Sequence, residues 1–368
     1  MSVRLTIATA CYNLNEVYLR AHIERILPQL TDETELILID DCSTNNTGEV
    51  CRDCVRSNDR VRYIRMDKNG GLSSVRNRSI EEAQGEWVFF ADGDDLLSAY
   101  FVKTALRFCD CDAEIIIHER LKFLTALPED KPCSAERLVE LPGDAGRTLS
   151  ISCMCLDPNI AEGLGLAKTA FYHAAWGALY RKSFLAEHHI LFPVGQKKAQ
   201  DSVFNTEVYY HAKKIAYLPY VMYFYRGNPE GITRRYSADL PLYIQSLLTL
   251  LKEQQQRLFP CDADVDGRMK NHRVMACIID NMRLNIFHKD NPKSKKQRRE
   301  EFLSFIEEEP YKSAISAFDA KTYRRQDWLF AVRQIRAKRF FVLDAVVSND
   351  RRFSIFGGVY KRLAKVLG

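Results

Sequence analysis

Phe89-Phe90-Ala91-Asp92-Gly93-Asp94-Asp95 carries an apolar strand straight into three carboxylates set around a glycine. A buried strand favours β-branched and aromatic residues, and acids gathered at its end lose solvation unless something cationic joins them. A hard divalent cation resolves that conflict, and Mg²⁺ typically takes only one or two carboxylates plus substrate phosphates. The plainer alternative is a solvated Asp-Gly turn that caps a helix beginning near Leu96.

The residues before this run favour a site. Leu5 to Ala10 is a short apolar stretch ending at Cys11-Tyr12-Asn13, and Val17, Leu19, Ile23, Ile26 and Leu27 follow at helical spacing. Leu36-Ile37-Leu38-Ile39 reads as a strand buried on both faces, and it ends in Asp40-Asp41-Cys42-Ser43-Thr44. Val61-Arg62-Tyr63-Ile64 is a third strand, Asn69-Gly70-Gly71 turns into a helix reaching Ala83, and Trp87 to Phe90 is the fourth strand. This βαβαβαβ order predicts an α/β fold with a parallel, doubly wound sheet. Ligands of such sheets sit at the carboxyl ends of the strands, where Asn13, Asp41 and Asp92 to Asp95 all fall.

These motifs together resemble family 2 glycosyltransferases of the GT-A fold, the kind that builds bacterial surface polysaccharides. The matching residues are Ala10-Cys11-Tyr12-Asn13, Ile39-Asp40-Asp41-Cys42-Ser43-Thr44, Asn69-Gly70-Gly71, Arg76-Asn77, Ala83-Gln84-Gly85-Glu86 and Asp92-Gly93-Asp94-Asp95. The likeness continues through Trp176-Gly177, Phe192-Pro193, Gln200-Asp201 and Tyr223-Phe224-Tyr225-Arg226, and it is weak over residues 119–169. Ala10-Cys11 stands where the family usually has Pro-Thr, and Gln200-Asp201 where it has Glu-Asp. The resemblance implies a GT-A domain over 1–236, with a variable acceptor region at 119–169, and leaves 237–368 as a helical C-terminal domain.

It also implies an inverting transfer of a hexose or N-acetylhexosamine from a UDP-sugar to a glycan hydroxyl, in capsule, lipooligosaccharide or related synthesis. Breaking the donor's glycosidic bond builds negative charge on the diphosphate, which bound Mn²⁺ or Mg²⁺ would stabilise. On the family pattern Asp94 is the direct metal ligand. Asp92 serves the ribose or the metal's water shell, Gly93 lies between them, and Asp95 is a ligand or a helix cap. Asp41 accepts a hydrogen bond from uracil, Cys11, Tyr12 and Asn13 line the nucleotide pocket, and Arg76 adds positive charge beside it. Asp201 matches the general base, with a helix N-cap as its plainer role. Trp176 and Arg226 fall on the acceptor side, although a lone Trp is equally a core residue.

Composition is consistent with that class. The chain has 368 residues, 46% of them hydrophobic, enough for two domains with full cores. Met1-Ser2-Val3-Arg4 leads directly into the first strand, so no signal peptide is expected, and no stretch approaches the ~18 apolar residues of a membrane span. With a cytoplasmic location expected, the eleven cysteines read as free thiols.

Lys321 to Gly368 carries 12 Lys+Arg against 3 Asp+Glu, while the whole chain is only +5, so the basic excess is concentrated at this end. Phe356, Val359, Tyr360, Leu363 and Leu367 fall at helical spacing beside Lys361, Arg362 and Lys365, a pattern that suits the anionic inner leaflet and a lipid-linked acceptor. Packing on its own domain, or on a second copy in a homo-oligomer, is the alternative. No recognition motif accompanies the charge, so nucleic acid is not expected as a partner. Two rival functions are a non-catalytic carbohydrate-binding scaffold and a sugar nucleotidyltransferase. The second needs a Gly-rich basic loop, which Cys11-Tyr12-Asn13-Leu14-Asn15 is not.

Overall fold

The computed structural model describes residues 2–227, 235–347, 355–359 and 361–363. The chain divides into two units, residues 1–153 with 160–228, and residues 154–159 with 229–368.

The first unit starts with four strand–helix repeats. They are β1 Leu5–Cys11 and α1 Glu16–Ile26, β2 Thr34–Asp40 and α2 Thr47–Ser57, β3 Val61–Arg65 and α3 Leu72–Glu82, then β4 Trp87–Asp92. Asn15 caps α1 by accepting from the Val17 N–H at 2.9 Å. The strands pair in parallel in the order β3-β2-β1-β4, so the winding reverses between β1 and β4. The crevice predicted for ligands opens at that reversal, beside Cys11 and Asp92.

Side chains alternate across this sheet and build two cores. Leu5, Ile7, Leu36, Leu38, Trp87 and Phe89 join Leu19, Ile23 and Val50 on one face. Ala8, Ile37, Ile39, Val88 and Phe90 join Val75, Phe192 and Phe204 on the other. A strand with no polar face is the expected consequence of burial on both sides.

Beyond β4 the sheet becomes mixed. β5 Leu96–Leu97 pairs antiparallel with Tyr223 and Phe224, where the turn alternative required a helix. That long-range pairing overrides the local turn signal, and the helix, α4 Phe101–Phe108, starts four residues later. β6 Ile115–Phe123, β7 Val139–Glu140, α5 Ala145–Cys155, β8 Ala178–Arg181, α6 Lys182–Glu187, α7 Gln200–His211 and β9 Ile215–Arg226 follow. β8 lies antiparallel between β4 and β6, and β6 runs parallel to β9 with a register slip between His118 and Arg120.

The second unit is helical: α8 Leu240–Leu258, α9 Ala263–Arg268, α10 Met275–Asn281, α11 Lys295–Phe305, α12 Tyr311–Ala317, α13 Leu329–Arg336 and α14 Phe340–Val347. Its contribution from residues 154–159 is anchored by Asp157, which meets Arg268 at 2.7 Å and His272 at 3.2 Å. Among the described residues no helix is long and apolar enough to cross a membrane. Residues 355–359 and 361–363 are helical, with Ile355, Phe356, Val359 and Leu363 exposed. Tyr360, Lys365 and Leu367 of the expected amphipathic pattern lie outside the described residues.

Candidate active site

The loops that follow β1 and β2 are sewn together. Asn13 adopts φ 46° and its Oδ1 accepts from the Thr44 N–H at 2.8 Å, while its own N–H donates to Ser43 Oγ at 3.0 Å. Tyr12 is left exposed beside it. Cys11 departs from the expectation: its thiol is buried in the core, because position 11 faces inward in the strand alternation. It therefore offers the crevice only backbone, and its carbonyl already accepts from the Asp41 N–H at 2.9 Å.

Asp41 is 3% exposed and shapes the neighbouring turn. Its two oxygens accept from the Gly70 and Gly71 N–H groups at 2.7 and 2.8 Å. Gly71 has φ 79°, a conformation that glycine adopts without the Cβ clash. One lone pair on each oxygen of Asp41 remains for a further donor.

The end of β4 places its three acids differently from one another. Asp92 points toward α3. Gly93 allows close packing, since a Cβ there would meet Leu14 at 2.5 Å. Asp94 is half-buried, and among the described residues its carboxylate makes no hydrogen bond or ion pair with another residue. Asp95 caps no helix. It is 1% exposed and ties β5 to β9, accepting from Tyr223 OH at 2.7 Å and from the Arg226 N–H at 2.6 Å. Its carbonyl accepts from Nδ1 of the buried His22 at 2.8 Å, and Thr9 Oγ1 donates to Nε2 at 2.9 Å.

Arg76 joins two acids that are far apart in sequence. Nη2 donates to Asp92 Oδ1 at 3.0 Å and Nη1 to Asp201 Oδ1, while the guanidinium lies 5.3 Å over the Phe192 ring. It is 2% exposed, and burial acts against its charge. The two carboxylates outweigh burial and hold its pKa above the usual arginine value. With one N–H of each Nη given to Asp92 or Asp201, Arg76 ties these two acids together. Asp201 lies in the first turn of α7, but the helix is capped at Ala199 and no side chain serves that cap. Its Oδ2 instead accepts from the Ala175 N–H at 3.2 Å.

The Trp176 ring is buried in a stack of aromatics. It lies 4.6 Å from Tyr223 with planes 2° apart, 5.3 Å from Phe171 and 5.7 Å from Tyr225. Its faces are therefore taken by protein rings, and its structural part is to hold the segment whose Ala175 N–H meets Asp201. Arg226 is sandwiched between Tyr18 and Phe123 and donates from Nε to the Asp94 carbonyl at 2.8 Å. Sequence reasoning missed Arg120, which lies over Phe171 at 4.3 Å, and the buried His22. Neither sits in a motif.

The arrangement agrees with the sequence comparisons. The profile of Glycosyl transferase family 2 matches residues 6–188, a span holding the β1, β2 and β4 ends together with Arg76. The chain carries a glycosyltransferase family 2 domain. EpsJ of Bacillus subtilis, an uncharacterized glycosyltransferase, is 29% identical over 231 residues, 62% of each chain. The poly(ribitol-phosphate) β-N-acetylglucosaminyltransferase TarS of Staphylococcus aureus is 25% identical over 232 residues, 62% of this chain and 36% of TarS. The chain thus spans under two thirds of the length of these curated relatives. The solved structure of TarS 1–349 with UDP-GlcNAc matches with a TM-score of 0.60 at 16% identity, covering 95% of this chain and 92% of that one. The fold is GT-A, with a mixed sheet and flanking helices, followed by a helical C-terminal region.

Within the family 2 domain the acids at the end of β4 are held away from their ordinary charge balance. Burial first, then the charge of Asp92, pushes Asp94 up to about 6. Burial likewise raises Asp95 well above the carboxylate range, and it raises Asp92 against the pull of Arg76. Among the described residues no three Asp, Glu, His or Cys side chains converge to cage a metal. The donor set suits a cation that phosphates help to bind: one half-buried, unpartnered carboxylate, Asp94, with Asp92 two residues before it.

Proposed function

We propose that this chain is an inverting, metal-dependent glycosyltransferase that moves a hexose or N-acetylhexosamine from a UDP-sugar to a glycan hydroxyl in bacterial surface-polysaccharide synthesis. The observation that carries the reading is the Asp92–Arg76–Asp201 bridge, which sets an acid of the donor-side motif and the proposed base on one guanidinium. A UDP-GlcNAc complex among the structural neighbours supports a UDP-sugar donor.

In this reading Tyr12, Asn13 and Asp41 receive the nucleotide, Asp41 through its remaining lone pairs. Asp94, with Asp92 beside it, would hold Mn²⁺ or Mg²⁺, which supplies Lewis-acid stabilisation of charge on the leaving diphosphate. Asp201 takes the proton of the acceptor hydroxyl as its oxygen attacks the anomeric carbon and UDP departs. Oδ1 and Oδ2 each accept one fixed hydrogen bond, which orients the carboxylate and leaves a lone pair on each oxygen for that proton. A single displacement without an enzyme nucleophile inverts the anomeric centre. Arg226 holds the Asp94 carbonyl, and the Trp176 stack supports the segment whose Ala175 N–H meets Asp201. Exposed Ile355, Val359 and Leu363, with Lys361 and Arg362, support contact with an anionic membrane surface, whereas Phe356 also stacks on Phe330 at 5.3 Å.

UDP release from a panel of UDP-sugars, with Mn²⁺ or EDTA, tests the reading. One donor should turn over only with metal, and Asp201→Asn should reduce that rate by at least ~10²-fold with UDP affinity unchanged. UDP binding unaccompanied by turnover, even with surface glycans supplied as acceptors, would favour the scaffold alternative.

A further inference from the structure

Among the described residues Arg120 forms no ion pair. It lies on β6 at the register slip, and its backbone N–H donates to the Thr169 carbonyl at 2.9 Å. Its guanidinium lies 4.3 Å over Phe171, 5.8 Å over Tyr225 and 6.0 Å over Trp176. Among the described residues no acceptor receives any of its side-chain N–H groups, no carboxylate lies within ion-pair distance, and Nε is buried. Asp95 attracts it through space but makes no hydrogen bond or ion pair with it, and its oxygens accept from Tyr223 OH and the Arg226 N–H. By contrast the partly buried Arg62 and the buried Arg76 each reach two carboxylates.

Cation–π contact orients a guanidinium, but it satisfies none of its five donors. Burial accordingly pulls the Arg120 pKa below the usual arginine value. A planar fork held on aromatic rings with its donors unspent is the recognition geometry for an oxyanion. Its place says which one. Trp176, under Arg120, follows Ala175, whose N–H holds the proposed base. The nucleotide-side groups Asn13 and Asp41 belong to the loops after β1 and β2.

We propose that Arg120 binds an oxyanion, phosphodiester or carboxylate, carried by the acceptor, so that the acceptor is an acidic glycan. This rests on the glycosyltransferase reading with Asp201 as base.

The test uses the full chain saturated with UDP and Mn²⁺. Glycerophosphoglycerol, a phosphodiester, and glucuronate are titrated by ligand-observed NMR with glucose as the neutral control, for the wild type, Arg120→Met and Arg120→Lys. The anions should bind and glucose should not, and whichever anion binds better identifies phosphodiester or carboxylate as the group recognised. Arg120→Met should weaken the anion by roughly 10-fold or more, the scale of one charged hydrogen bond, with UDP affinity within about twofold. Arg120→Lys, which keeps the charge, should retain part of it. Equal anion binding in Arg120→Met overturns the proposal, as does binding of glucose as tight as the anions. A parallel loss of UDP affinity also overturns it, by assigning the guanidinium to the donor diphosphate. Absence of UDP binding in the wild type overturns the donor assignment itself, and this inference with it.

Discussion

Arg76 and Asp201 meet across 125 positions of sequence, and the same guanidinium holds Asp92 by its other nitrogen. Replacing Arg76 by Met leaves two acids side by side without their cation. Breaking a buried pair in this way costs about 3–5 kcal/mol, so the urea midpoint should fall clearly, with Arg76→Lys between Met and wild type. An unchanged midpoint would show that the bridge adds nothing to stability. Turnover should fall as well, because Asp201 loses the partner that orients it.

Asp94→Asn removes the unpartnered carboxylate while keeping its shape. Mn²⁺ should strengthen UDP binding to the wild type in a calorimetric titration, and EDTA should reverse the gain. The variant should bind UDP equally with and without Mn²⁺. A full Mn²⁺ effect in Asp94→Asn would remove this residue from the metal site.

His22, His118 and His272 are buried, and burial pulls each down to about 4. The unfolded chain protonates these rings near 6.5, whereas the folded chain refuses the proton until about 4. More protons are bound in the unfolded state throughout that window, so stability is intact above 6.5 and drains away as pH falls toward 4. The loss should approach about 3 kcal/mol per histidine by pH 4, of which about 2 kcal/mol falls between pH 7 and pH 5. Urea unfolding at pH 7 and pH 5 measures it, and His118→Asn should flatten the slope. A slope untouched by that change would take His118 out of the balance.

Removing residues 350–368 deletes the exposed apolar row and its lysines and arginines. Cosedimentation with vesicles rich in anionic lipid should drop sharply, and the wild type's binding should weaken as salt rises. Binding unaltered by the deletion would place the membrane contact elsewhere or nowhere.

Much of this site was legible because strand ends announce themselves. Alternating burial of Ile37 and Leu38, or of Phe89 and Phe90, follows from continuous apolar runs, and the acids that stop those runs mark the crevice. What stayed hidden depends on partners distant in sequence. Nothing local distinguishes Arg76 from a surface arginine on an amphipathic helix until Asp201 arrives beside it. The Asp-Gly turn at residues 92–95 pointed to a helix near Leu96, but pairing with Phe224 made a strand there and turned Asp95 from a cap into a tie. Arg120 and His22 belong to no motif at all, and only the packed rings and the carbonyl of Asp95 reveal what surrounds them.

The six residues around Asp157 have a topological consequence. The chain leaves the first unit at Met154, lends the second an acid that meets Arg268 and His272, and returns at Ile160 before crossing again near 228. Three crossings make a splice that one cut cannot undo. A fragment ending at 228 carries away a borrowed piece, and in the complementary fragment Arg268 keeps Asp264 but loses Asp157. The boundary between the two units is therefore three positions in the sequence rather than one.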